Sequence, residues 1–467
     1  MTQLRPWQTE CVDEALQVFE YRTHFLCHAT PGAGKTIMVA SVAKTLLERK
    51  KIDFVLCFSP SRAVSQSVES TFGQFLGRTF NGQIGAAGGS YTYQSMRTLP
   101  KELWRVLSEH NVLVILDEIH HCAGHRWDDL IIGNSWGRTI LDRIQGKATF
   151  TIALSGTPWR TDDHPIVLSR YMQPDGKLHC DYEYGLQRAV SEGVCREPRI
   201  VLTDNREISL RSSELGFKNF TSIQETIKQG HVSYPEFLFR DEVIDHLISE
   251  ASIKLSDIRK QRPSAAGLVV AATVAHAEQV ARRLSALGEK PVLVTYNTPD
   301  ANEVISDFKH SSDSWIISVG MISEGTDIPR LQVCCHLSRI RTELHFRQVL
   351  GRVLRCQAGE PADLGGWLYV LAEPNLTEFA YRVGDDLPGQ RVVSFSPKFS
   401  KLDLKETNGA GALLPDNIPS IPNDPGIDLS GSWVGAAQGF EGRNAADLRL
   451  SNQYWSEVLS LFDKTLT

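Results

Sequence analysis

The sequence has no long hydrophobic run, no C-x-x-C motif and no excess of positive charge. No apolar stretch approaches the roughly 18 residues that a membrane-spanning helix requires. The N-terminus, MTQLRPWQTE, has no basic region followed by an apolar one, so a secretory signal is not indicated. We therefore expect a soluble, cytoplasmic protein that has no membrane partner.

The nine cysteines are scattered along the chain. Their spacing argues against a disulfide framework and against a zinc ribbon. Several of them, including Cys27 and Cys57, lie in apolar runs, where a free thiol acts as a small hydrophobic group. We therefore expect neither disulfides nor structural zinc.

The net charge of −6 disfavours a dedicated, sequence-independent DNA coat protein, which would need a basic surface. A nucleic-acid enzyme with a local basic channel remains compatible, because the field depends on how the charges are distributed. With 467 residues, the chain has room for two or three domains with sizeable cores.

Short apolar runs of strand type alternate with helical segments in two parts of the chain. In the first half these runs are 24–29, 53–59, 111–118 and 148–155, and in the second half they are 267–273, 291–296, 315–320, 332–337 and 367–372. Strands that alternate with helices predict parallel sheets with helices on both faces. The predicted fold class is therefore α/β, with two tandem parallel-sheet lobes.

Composition and periodicity predict the boundaries of these lobes. Lobe 1 is predicted over residues 1–205, a connecting segment over 206–262 and lobe 2 over 263–390. Apolar residues at helical spacing over 244–258, followed by Pro263, predict a long connecting helix. The alternative is that this helix is an ordinary part of lobe 2.

Residues 391–467 no longer show the alternation of strands and helices. Many prolines and glycines between 407 and 437 predict an extended linker. Leu448, Trp455 and Leu459 then recur at helical spacing and predict a short C-terminal helix. This helix could pack on a lobe or dock a partner protein, and the sequence leaves both open.

The segment Ala29-Thr-Pro-Gly-Ala-Gly-Lys-Thr36 follows a predicted strand and opens a predicted helix, which is the context of a P-loop. Backbone N–H groups and the helix N-terminus would surround the β- and γ-phosphates. Lys35 would add positive charge, and the Thr36 hydroxyl is placed for Mg²⁺. The predicted ATP-binding residues here are Thr30, Pro31, Gly32, Ala33, Gly34, Lys35 and Thr36.

The acidic pair of Asp117-Glu118-Ile119-His120 follows the apolar strand 112–116. Ligands of open α/β sheets bind outside the carboxyl ends of the strands, so both carboxylates should face the phosphates. We expect Asp117 to hold Mg²⁺ and Glu118 to deprotonate the attacking water.

Four potential metal ligands, three histidines and one cysteine, lie close together in His120-His121-Cys122 and His125. No second cluster completes a tetrahedral set of ligands. We therefore favour His120 as a residue that couples nucleotide state to the rest of the protein, with a metal site as the alternative.

Two arginines stand in FRQVLGRVLR, about three hundred residues after the P-loop. Gln348, Arg352 and Arg355 are spaced i, i+4 and i+7, which places them on one face of a helix. Guanidinium groups from the second lobe would neutralise charge that develops on the γ-phosphate, as an arginine finger does. The predicted catalytic residues are Lys35, Asp117, Glu118, Gln348, Arg352 and Arg355.

In their order, these motifs resemble those of superfamily 2 helicases and translocases, most of all the DEAD/DEAH-like group that includes motor subunits of type III restriction enzymes. The resemblance covers roughly residues 1–385. It implies two RecA-like lobes with an ATP cleft between them, and ATP and Mg²⁺ as cofactors.

The resemblance also assigns roles to further residues. Leu4-Arg-Pro-Trp-Gln8 is similar to the adenine-reading element, so Gln8 would read the adenine edge with Arg5 nearby. Ser155-Gly-Thr-Pro158 is similar to motif III, so Ser155 and Thr157 would join His120 in coupling. Motif V corresponds to 318–327, and its Gly325 and Asp327 would join the ATP site.

Residues that would contact a nucleic-acid strand are identified by the same resemblance. They are Ser61, Arg62, Thr92, Gln94, Thr273 and Ser318. Hydroxyl and guanidinium donors suit phosphate and sugar, which position a strand without reading its sequence. The alternative for each residue is a local role, such as capping a helix.

The function that this pattern predicts is an ATP-dependent DNA helicase or translocase, with DNA favoured over RNA as the partner. The alternatives are an RNA helicase and an ATP-gated nucleic-acid sensor or loader that acts with a partner protein in restriction or phage defence. No nuclease, methyltransferase or zinc-finger signature is recognisable, so cutting or modifying DNA would require another chain.

Overall fold

The computed structural model describes residues 3–127, 130–160, 162, 164–172, 176–212, 216–230, 232–320, 322, 327–356, 360, 364–383 and 447–460. In chain order, the strands are β1 (His24–Ala29), β2 (Phe54–Ser59), β3 (Gly88–Thr92), β4 (Val112–Leu116), β5 (Gly124–Trp127), β6 (Leu130–Gly133), β7 (Phe150–Ser155), β8 (Arg170–Met172), β9 (Lys177–His179), β10 (Tyr182–Tyr184), β11 (Pro198–Asn205), β12 (Ile208–Ser212), β13 (Gly216–Phe220), β14 (Ala266–Ala271), β15 (Val292–Val294), β16 (Trp315–Ser318), β17 (Leu331–Leu337), β18 (Gly366–Leu371), β19 (Asp447–Leu450) and β20 (Tyr454–Ser460).

The helices are α1 (Pro6–Val18), α2 (Lys35–Glu48), α3 (Arg62–Leu76), α4 (Lys101–Glu109), α5 (Ser135–Arg143), α6 (Leu186–Ser191), α7 (Ile223–Lys228), α8 (Tyr234–Leu238), α9 (Asp241–Gln261), α10 (Val274–Ala286), α11 (Ala301–His310), α12 (Glu343–Val353) and α13 (Pro374–Tyr381). Short 3₁₀ turns cover Gln94–Arg97 and Ile119–His121. Among the described helices, none is long and apolar enough to cross a membrane.

The first sheet has the strand order β10-β1-β7-β4-β2-β3, and all of its pairings are parallel. Its central strands are largely buried, as expected of a parallel sheet that helices cover on both faces; every residue of β4 is apolar and buried. The carboxyl ends of β1, β4 and β7 meet at one edge, directly before the P-loop, DEIH and SGTP segments. This sheet and its helices are called lobe 1 below.

The second sheet has the order β15-β16-β14-β17-β18-β11-β20 and is parallel except that β20 runs antiparallel to β11. Helix α12 packs on β17 and β18, and α10 packs on β14 and β16. This sheet and its helices are called lobe 2 below. Two parallel α/β sheets in tandem confirm the predicted fold class of two RecA-like lobes.

The predicted border between the lobes, at residue 205, is wrong. Strand β11 lies inside the second sheet, paired with β18, so the chain crosses between the lobes before Pro198. The predicted connecting helix is also wrong, because α9 packs on β14 and β17 as an ordinary helix of lobe 2. Strand β12 lies between β13 and β19 in a small antiparallel sheet, within the segment predicted to connect the lobes.

The predicted C-terminal helix is wrong for the described residues 447–460, which form β19 and β20. Strand β20 pairs with β11 along its whole length, from Tyr454 opposite Asn205 to Ser460 opposite Arg199. Backbone pairing with an existing sheet edge overrides the helical spacing of the apolar residues, and the aromatic and β-branched side chains of Tyr454, Trp455 and Val458 suit a strand. The predicted linker over 407–437 lies outside the described residues.

The crossing between the lobes is tied to the end of α12. Cys195 forms an antiparallel bridge with Arg355, and the Arg196 N–H donates to the Leu354 carbonyl at 2.7 Å. The Arg196 guanidinium, which is buried, donates to the carbonyls of Leu331 and Val353 at 2.7 and 2.8 Å and pairs with Glu360 at 2.8 Å. The crossing and the arginine segment therefore form one connected unit.

Candidate active site

A cavity of about 840 Å³ lies between the lobes, at the carboxyl ends of the strands. Lobe 1 lines it with Pro31, Gly32, Gly34, Lys35, Thr36, Ile37, Lys44, Pro60, Val64, Ser67, Val68, Thr71, Gln74, Phe75, Asp117, Glu118, Gly156 and Thr157. Lobe 2 lines it with Asp327, Gln348, Arg352 and Arg355. The six predicted catalytic residues therefore face one space.

The P-loop needs its glycines for two reasons. Gly32 and Gly34 have φ values of 84° and 98°, in the region that side chains disfavour. A Cβ at Gly34 would also lie 2.8 Å from Gln8 Nε2, and one at Gly32 would lie 2.7 Å from Arg355 Cγ. Helix α2 begins at Lys35, so its unpaired N-terminal N–H groups open into the cavity and suit an anion.

Lys35 and Glu118 lie next to each other in the cavity. Lys35 Nζ donates to the Ala29 carbonyl at 3.1 Å and lies 3.4 Å from Glu118 Oε1. The other carboxylate oxygen of Glu118 accepts from the Gly156 N–H at 3.2 Å. Glu118 has a φ of 49°, a strained conformation that occurs preferentially at functional sites. The loop geometry therefore directs this carboxylate into the cavity.

Asp117 stands beside Glu118 and has a perturbed acidity. Its removal from water, followed by the charge of Glu118, raises the pKa of Asp117 above its ordinary value. The Glu118 N–H donates to Asp117 Oδ1 at 3.1 Å, and the buried Tyr93 hydroxyl donates to the Asp117 carbonyl at 2.8 Å. Two neighbouring carboxylates near the Thr36 hydroxyl are a set of oxygen donors that fits Mg²⁺.

The three predicted coupling residues lie together. His120 Nδ1 is 2.9 Å from Ser155 Oγ, and the Thr157 N–H donates to the same hydroxyl at 3.1 Å. The Arg160 guanidinium donates to the His120 carbonyl and pairs with Asp162. Arg160 follows SGTPW directly; its position beside a motif is the only signal by which the sequence could have identified it.

The histidine-rich segment after Asp117 is used for packing. The His120 and His121 rings lie 4.3 Å apart, and His121 meets the edge of Trp136. Within the described part of the chain, no group of three or more His, Cys, Asp or Glu side chains is placed to hold a metal ion. The residues that fit Mg²⁺ are Thr36 and Asp117, with phosphate oxygens and water as further ligands.

Lobe 2 contributes its catalytic candidates from one short segment. Gln348 and Arg352 lie on α12, but the expectation that Arg355 projects from the same helix is wrong, because α12 ends at Val353. Arg355 reaches the cavity from the bridge with Cys195, and its guanidinium pairs with Asp327. Gly325, which was predicted to join the ATP site together with Asp327, lies outside the described residues.

Arg5 and Gln8 bind the P-loop rather than line the cavity. Arg5 Nη1 donates to the Ala33 carbonyl at 2.8 Å, and Gln8 Nε2 donates to the Gly34 carbonyl at 2.9 Å. Gln8 Oε1 accepts from the Arg5 N–H at 2.8 Å. Both polar atoms of the Gln8 side-chain amide therefore bond to backbone groups. Of the predicted ATP-binding residues of the P-loop, Thr30 and Ala33 do not line the cavity. An adenine-reading role for Gln8 stays a prediction.

Six residues were predicted to contact a nucleic-acid strand. They form one set in each lobe, and both sets lie outside the nucleotide cavity. In lobe 1, Ser61 and Arg62 follow β2, while Thr92 ends β3, the strand paired with β2, and Gln94 follows it. In lobe 2, Thr273 and Ser318 lie at the carboxyl ends of the paired strands β14 and β16. Each lobe thus presents its own set.

Several of these residues have local partners. Ser61 caps α3 by accepting from the Val64 N–H at 3.3 Å, and Thr273 caps α10 by accepting from the His276 N–H at 3.1 Å. The Thr92 hydroxyl accepts from the Ser95 N–H at 3.2 Å. Ser318 differs, because its buried hydroxyl has no hydrogen-bond partner among the described residues. Arg62 is exposed.

Two parallel sheets around this cavity, with a P-loop and an acidic pair on one side and paired arginines on the other, define a superfamily 2 helicase-like ATPase fold. Residues 1–160 match the family described as "Type III restriction enzyme, res subunit", so this part of the chain is similar to that subunit. The predicted resemblance to superfamily 2 and to this group is confirmed.

Over 398 residues, the chain is 30% identical to an uncharacterized protein of Mycobacterium tuberculosis, and the match covers 81% of this chain and 62% of the relative. An uncharacterized protein of Mycobacterium leprae is 30% identical over 394 residues, covering 81% and 63%. The chain thus spans less than two thirds of the length of these relatives.

A fragment structure of a proposed HsdR subunit of a type I restriction enzyme from Vibrio vulnificus YJ016 is similar, with a TM-score of 0.54 and 17% identity. The match covers 82% of this chain and 67% of that one. At this identity the likeness shows the shared fold alone.

Proposed function

We propose that the chain is an ATP-dependent DNA helicase or translocase, which couples hydrolysis of ATP to ADP and phosphate with movement on nucleic acid. The observation that carries this proposal is the shared cavity, into which Lys35 and Glu118 project from one lobe and Arg352 from the other. An ATPase whose site is completed across two lobes can convert hydrolysis into relative motion of those lobes.

Lobe 1 binds the phosphates and activates water. Lys35, now held by Ala29 and Glu118, would turn to the β- and γ-phosphate oxygens beside the N–H groups of the P-loop. Released from Lys35, the Glu118 carboxylate keeps its bond from the Gly156 N–H and accepts the proton of the attacking water.

Lobe 2 stabilises the negative charge that develops while the γ-phosphoryl group is transferred to water. Arg352 and Arg355 project from the opposite side of the cavity and would bind the γ-phosphoryl oxygens in the transition state. Arg355 would exchange its partner Asp327 for phosphate. Hydrolysis then requires the closed arrangement, and loss of phosphate removes the charge that holds the lobes together.

The donor set of Thr36 and Asp117 fits a Mg²⁺ ion, which when bound neutralises charge on the β- and γ-phosphate oxygens. The raised pKa of Asp117 reflects two carboxylates held close together. Asp117 and Thr36 would hold the cation, while Tyr93 fixes the Asp117 backbone by its hydroxyl bond.

The substrate track is proposed to run over the carboxyl ends of β2 and β3 in lobe 1 and of β14 and β16 in lobe 2. The match of residues 1–160 to a restriction res subunit supports DNA as the polymer. Opening and closing of the cleft would change the distance between Ser61 or Thr92 and Ser318, and so would advance one strand in steps.

The direct test is ATP hydrolysis measured in parallel with single-stranded DNA, duplex DNA and RNA. We expect DNA to stimulate turnover more than RNA. Strand displacement on a forked duplex would identify a helicase, and triplex displacement without unwinding would identify a translocase.

The remaining outcomes of this test separate the alternatives. Stimulation by RNA alone would replace the proposal with an RNA helicase. Stimulated hydrolysis with neither kind of movement would replace it with an ATP-gated sensor or loader that acts with a partner. A Ser318→Ala variant should weaken stimulation, whereas Ser70→Ala, on the outer part of α3, serves as a matched control.

A further inference from the structure

Helix α12 contacts lobe 1 along one side. A Cβ added to Gly351 would lie 2.8 Å from Pro31 Cβ, so the helix backbone packs directly on the P-loop. Four residues earlier, the Arg347 guanidinium lies over the Trp159 ring, 5.3 Å from its centroid. Residues spaced i and i+4 share a helix face, so one side of α12 docks on lobe 1 while Gln348 and Arg352 face the cavity.

Arg347 is held rigidly by lobe 2. Its Nε and Nη2 donate to Glu343 Oε1 at 3.0 and 2.9 Å, and its Nη groups also donate to the carbonyls of Arg382 and Val383 at 2.8 and 3.2 Å. Glu343 is buried and pairs with Arg382 as well. Hydrogen bonds of a guanidinium lie in its plane, so its face is available to an aromatic ring.

Trp159 is held in lobe 1 by packing and by its backbone. Its side chain is buried, and its backbone N–H donates to the Thr157 carbonyl at 2.8 Å. Thr157 in turn bonds to Ser155, the partner of His120. On its other side stands Arg160, anchored to Asp162 and to the His120 carbonyl. The backbone that carries the ring is therefore fixed to the segment that contacts Glu118.

We propose that Trp159 and Arg347 form an inter-lobe latch, which positions Gln348 and Arg352 over the γ-phosphate when the cleft is closed. Neither latch residue lines the nucleotide cavity, so both are positioning residues. A cation–π contact is lost beyond about 6 Å, and separation of the lobes therefore breaks the latch while each partner keeps its own hydrogen bonds. The inference rests on the proposed function, since it assigns a role in ATP turnover.

The test compares turnover with nucleotide affinity in the full chain. Trp159→Leu keeps apolar bulk without the π face, and Arg347→Met keeps length without the charge. Each is expected to lower kcat about 10-fold, in line with a desolvated cation–π contact, while the Kd for N-methylanthraniloyl-ATP changes less than about twofold. Trp159→Phe, which retains a π face, should keep most of the activity.

The double variant decides whether the two residues act together. Trp159→Leu with Arg347→Met should turn over ATP no more slowly than the slower single variant, because the second change removes nothing further. Multiplying losses would overturn the latch. So would a loss of nucleotide affinity as large as the loss of kcat in Trp159→Leu.

Trp367→Leu is the matched control. Trp367 lies in the core of lobe 2, is 9% exposed against 8% for Trp159, and also meets cations, with Lys254 at 4.2 Å and Arg199 at 5.4 Å. This variant should lower the thermal unfolding temperature but leave kcat unchanged. An equal loss of kcat in Trp367→Leu would mean that the effect of Trp159→Leu is general destabilisation.

Cleft closure is measured separately, so that failure of the latch and failure of the proposed function can be told apart. Fluorescence energy transfer between labels at the exposed positions Lys51 and Lys290, introduced as Lys51→Cys and Lys290→Cys, should rise on adding a non-hydrolysable ATP analogue. Trp159→Leu should reduce that rise, and an unchanged rise overturns the latch. A wild-type chain that closes without hydrolysing ATP would refute the proposed function and leave the latch supported.

Discussion

The two lobes contribute to the nucleotide cavity in different ways. In lobe 1, three motifs are already bonded to one another, since Lys35 contacts Glu118, Glu118 accepts from Gly156, and His120 contacts Ser155. In lobe 2, Gln348, Arg352 and Arg355 come from a single segment, and Arg355 is paired with Asp327. In the proposed mechanism, lobe 1 would hold the nucleotide, and lobe 2 would supply charge during its hydrolysis.

This difference predicts that nucleotide binding and turnover can be separated by lobe. Changes in lobe 1 should affect binding, chemistry or both, depending on the residue. Changes in lobe 2 should affect chemistry with little change in binding.

The largest effect is expected for the two charged residues of lobe 1. Lys35→Ala should abolish nucleotide binding and turnover together, because the positive charge that the P-loop itself offers to the phosphates is lost. Glu118→Gln should lower turnover about 10³-fold, the range for a lost general base, while N-methylanthraniloyl-ATP still binds. Near-wild-type hydrolysis in Glu118→Gln would sink the general-base assignment. Glu109→Gln, at an exposed position, is the control.

Arg352→Ala should come next, with turnover reduced about 10²-fold and nucleotide affinity preserved. A single preorganised donor aimed at developing charge contributes about this much. Steady-state hydrolysis together with a fluorescence titration of the nucleotide checks both halves of the prediction. Normal turnover would refute a site completed by two lobes, and Arg105→Ala on exposed α4 controls for loss of a surface charge.

Gly351→Ala should lower turnover about 10-fold, because the new methyl group must push α12 away from Pro31 and so displace Arg352. Alanine also favours a helix over glycine, so a loss of activity could not be attributed to a weaker helix. Gly73→Ala in α3 is the matched control, since its Cβ would meet no atom closer than 3.7 Å. Equal turnover in both variants would contradict close docking of α12 on the P-loop.

The smallest effect concerns acid stability, which compares one buried histidine from each lobe. Burial lowers the pKa of His28 in β1 to about 4 and that of His336 in β17 to about 3, below the ordinary value near 6.5. Below pH 6.5 the two histidines take up protons in the unfolded chain but stay neutral in the folded one. Their contribution to the free energy of unfolding is therefore complete above pH 6.5 and is lost as the pH falls.

Each histidine should then lower the free energy of unfolding by about 1 kcal/mol as the pH falls from 6.5 to 5.5. Denaturant unfolding at these two pH values measures the change, and His28→Asn or His336→Asn should lose less stability on acidification than the wild type. A variant with the same pH dependence as the wild type would show that its histidine is protonated equally in the folded and unfolded states. A larger change for one variant would identify the histidine whose pKa differs more between the folded and unfolded states.

The sequence predicted the two sheets and the composition of the cavity well, for a physical reason. Buried parallel strands read as continuous apolar runs, and the residues that bind phosphate follow those strands directly. Lys35, Asp117 and Glu118 could therefore be placed from local pattern alone. Gln348 and Arg352 could be placed because their helix has a clear periodicity.

Other features depend on contacts that no local pattern encodes. Strand β20 was predicted as a helix because its apolar spacing fits one, yet the open edge of β11 fixes it as a strand. Arg355 was placed on α12, but its bridge to Cys195 removes it from the helix. Trp159 and Arg347 each stand beside a recognisable motif, but their contact is visible only once both lobes are folded.

The attachment of the inter-lobe crossing to Arg355 determines how far each part of lobe 2 would move in the proposed motor. A body that rotates about a pivot moves little near it and much at its rim. Arg355 sits at the pivot, since it is bridged to Cys195, whereas β16 stands four strands away from β11, or about 19 Å at the usual strand spacing. In the proposed motor, a rotation that shifts a guanidinium slightly at the phosphates would therefore move Ser318 much further.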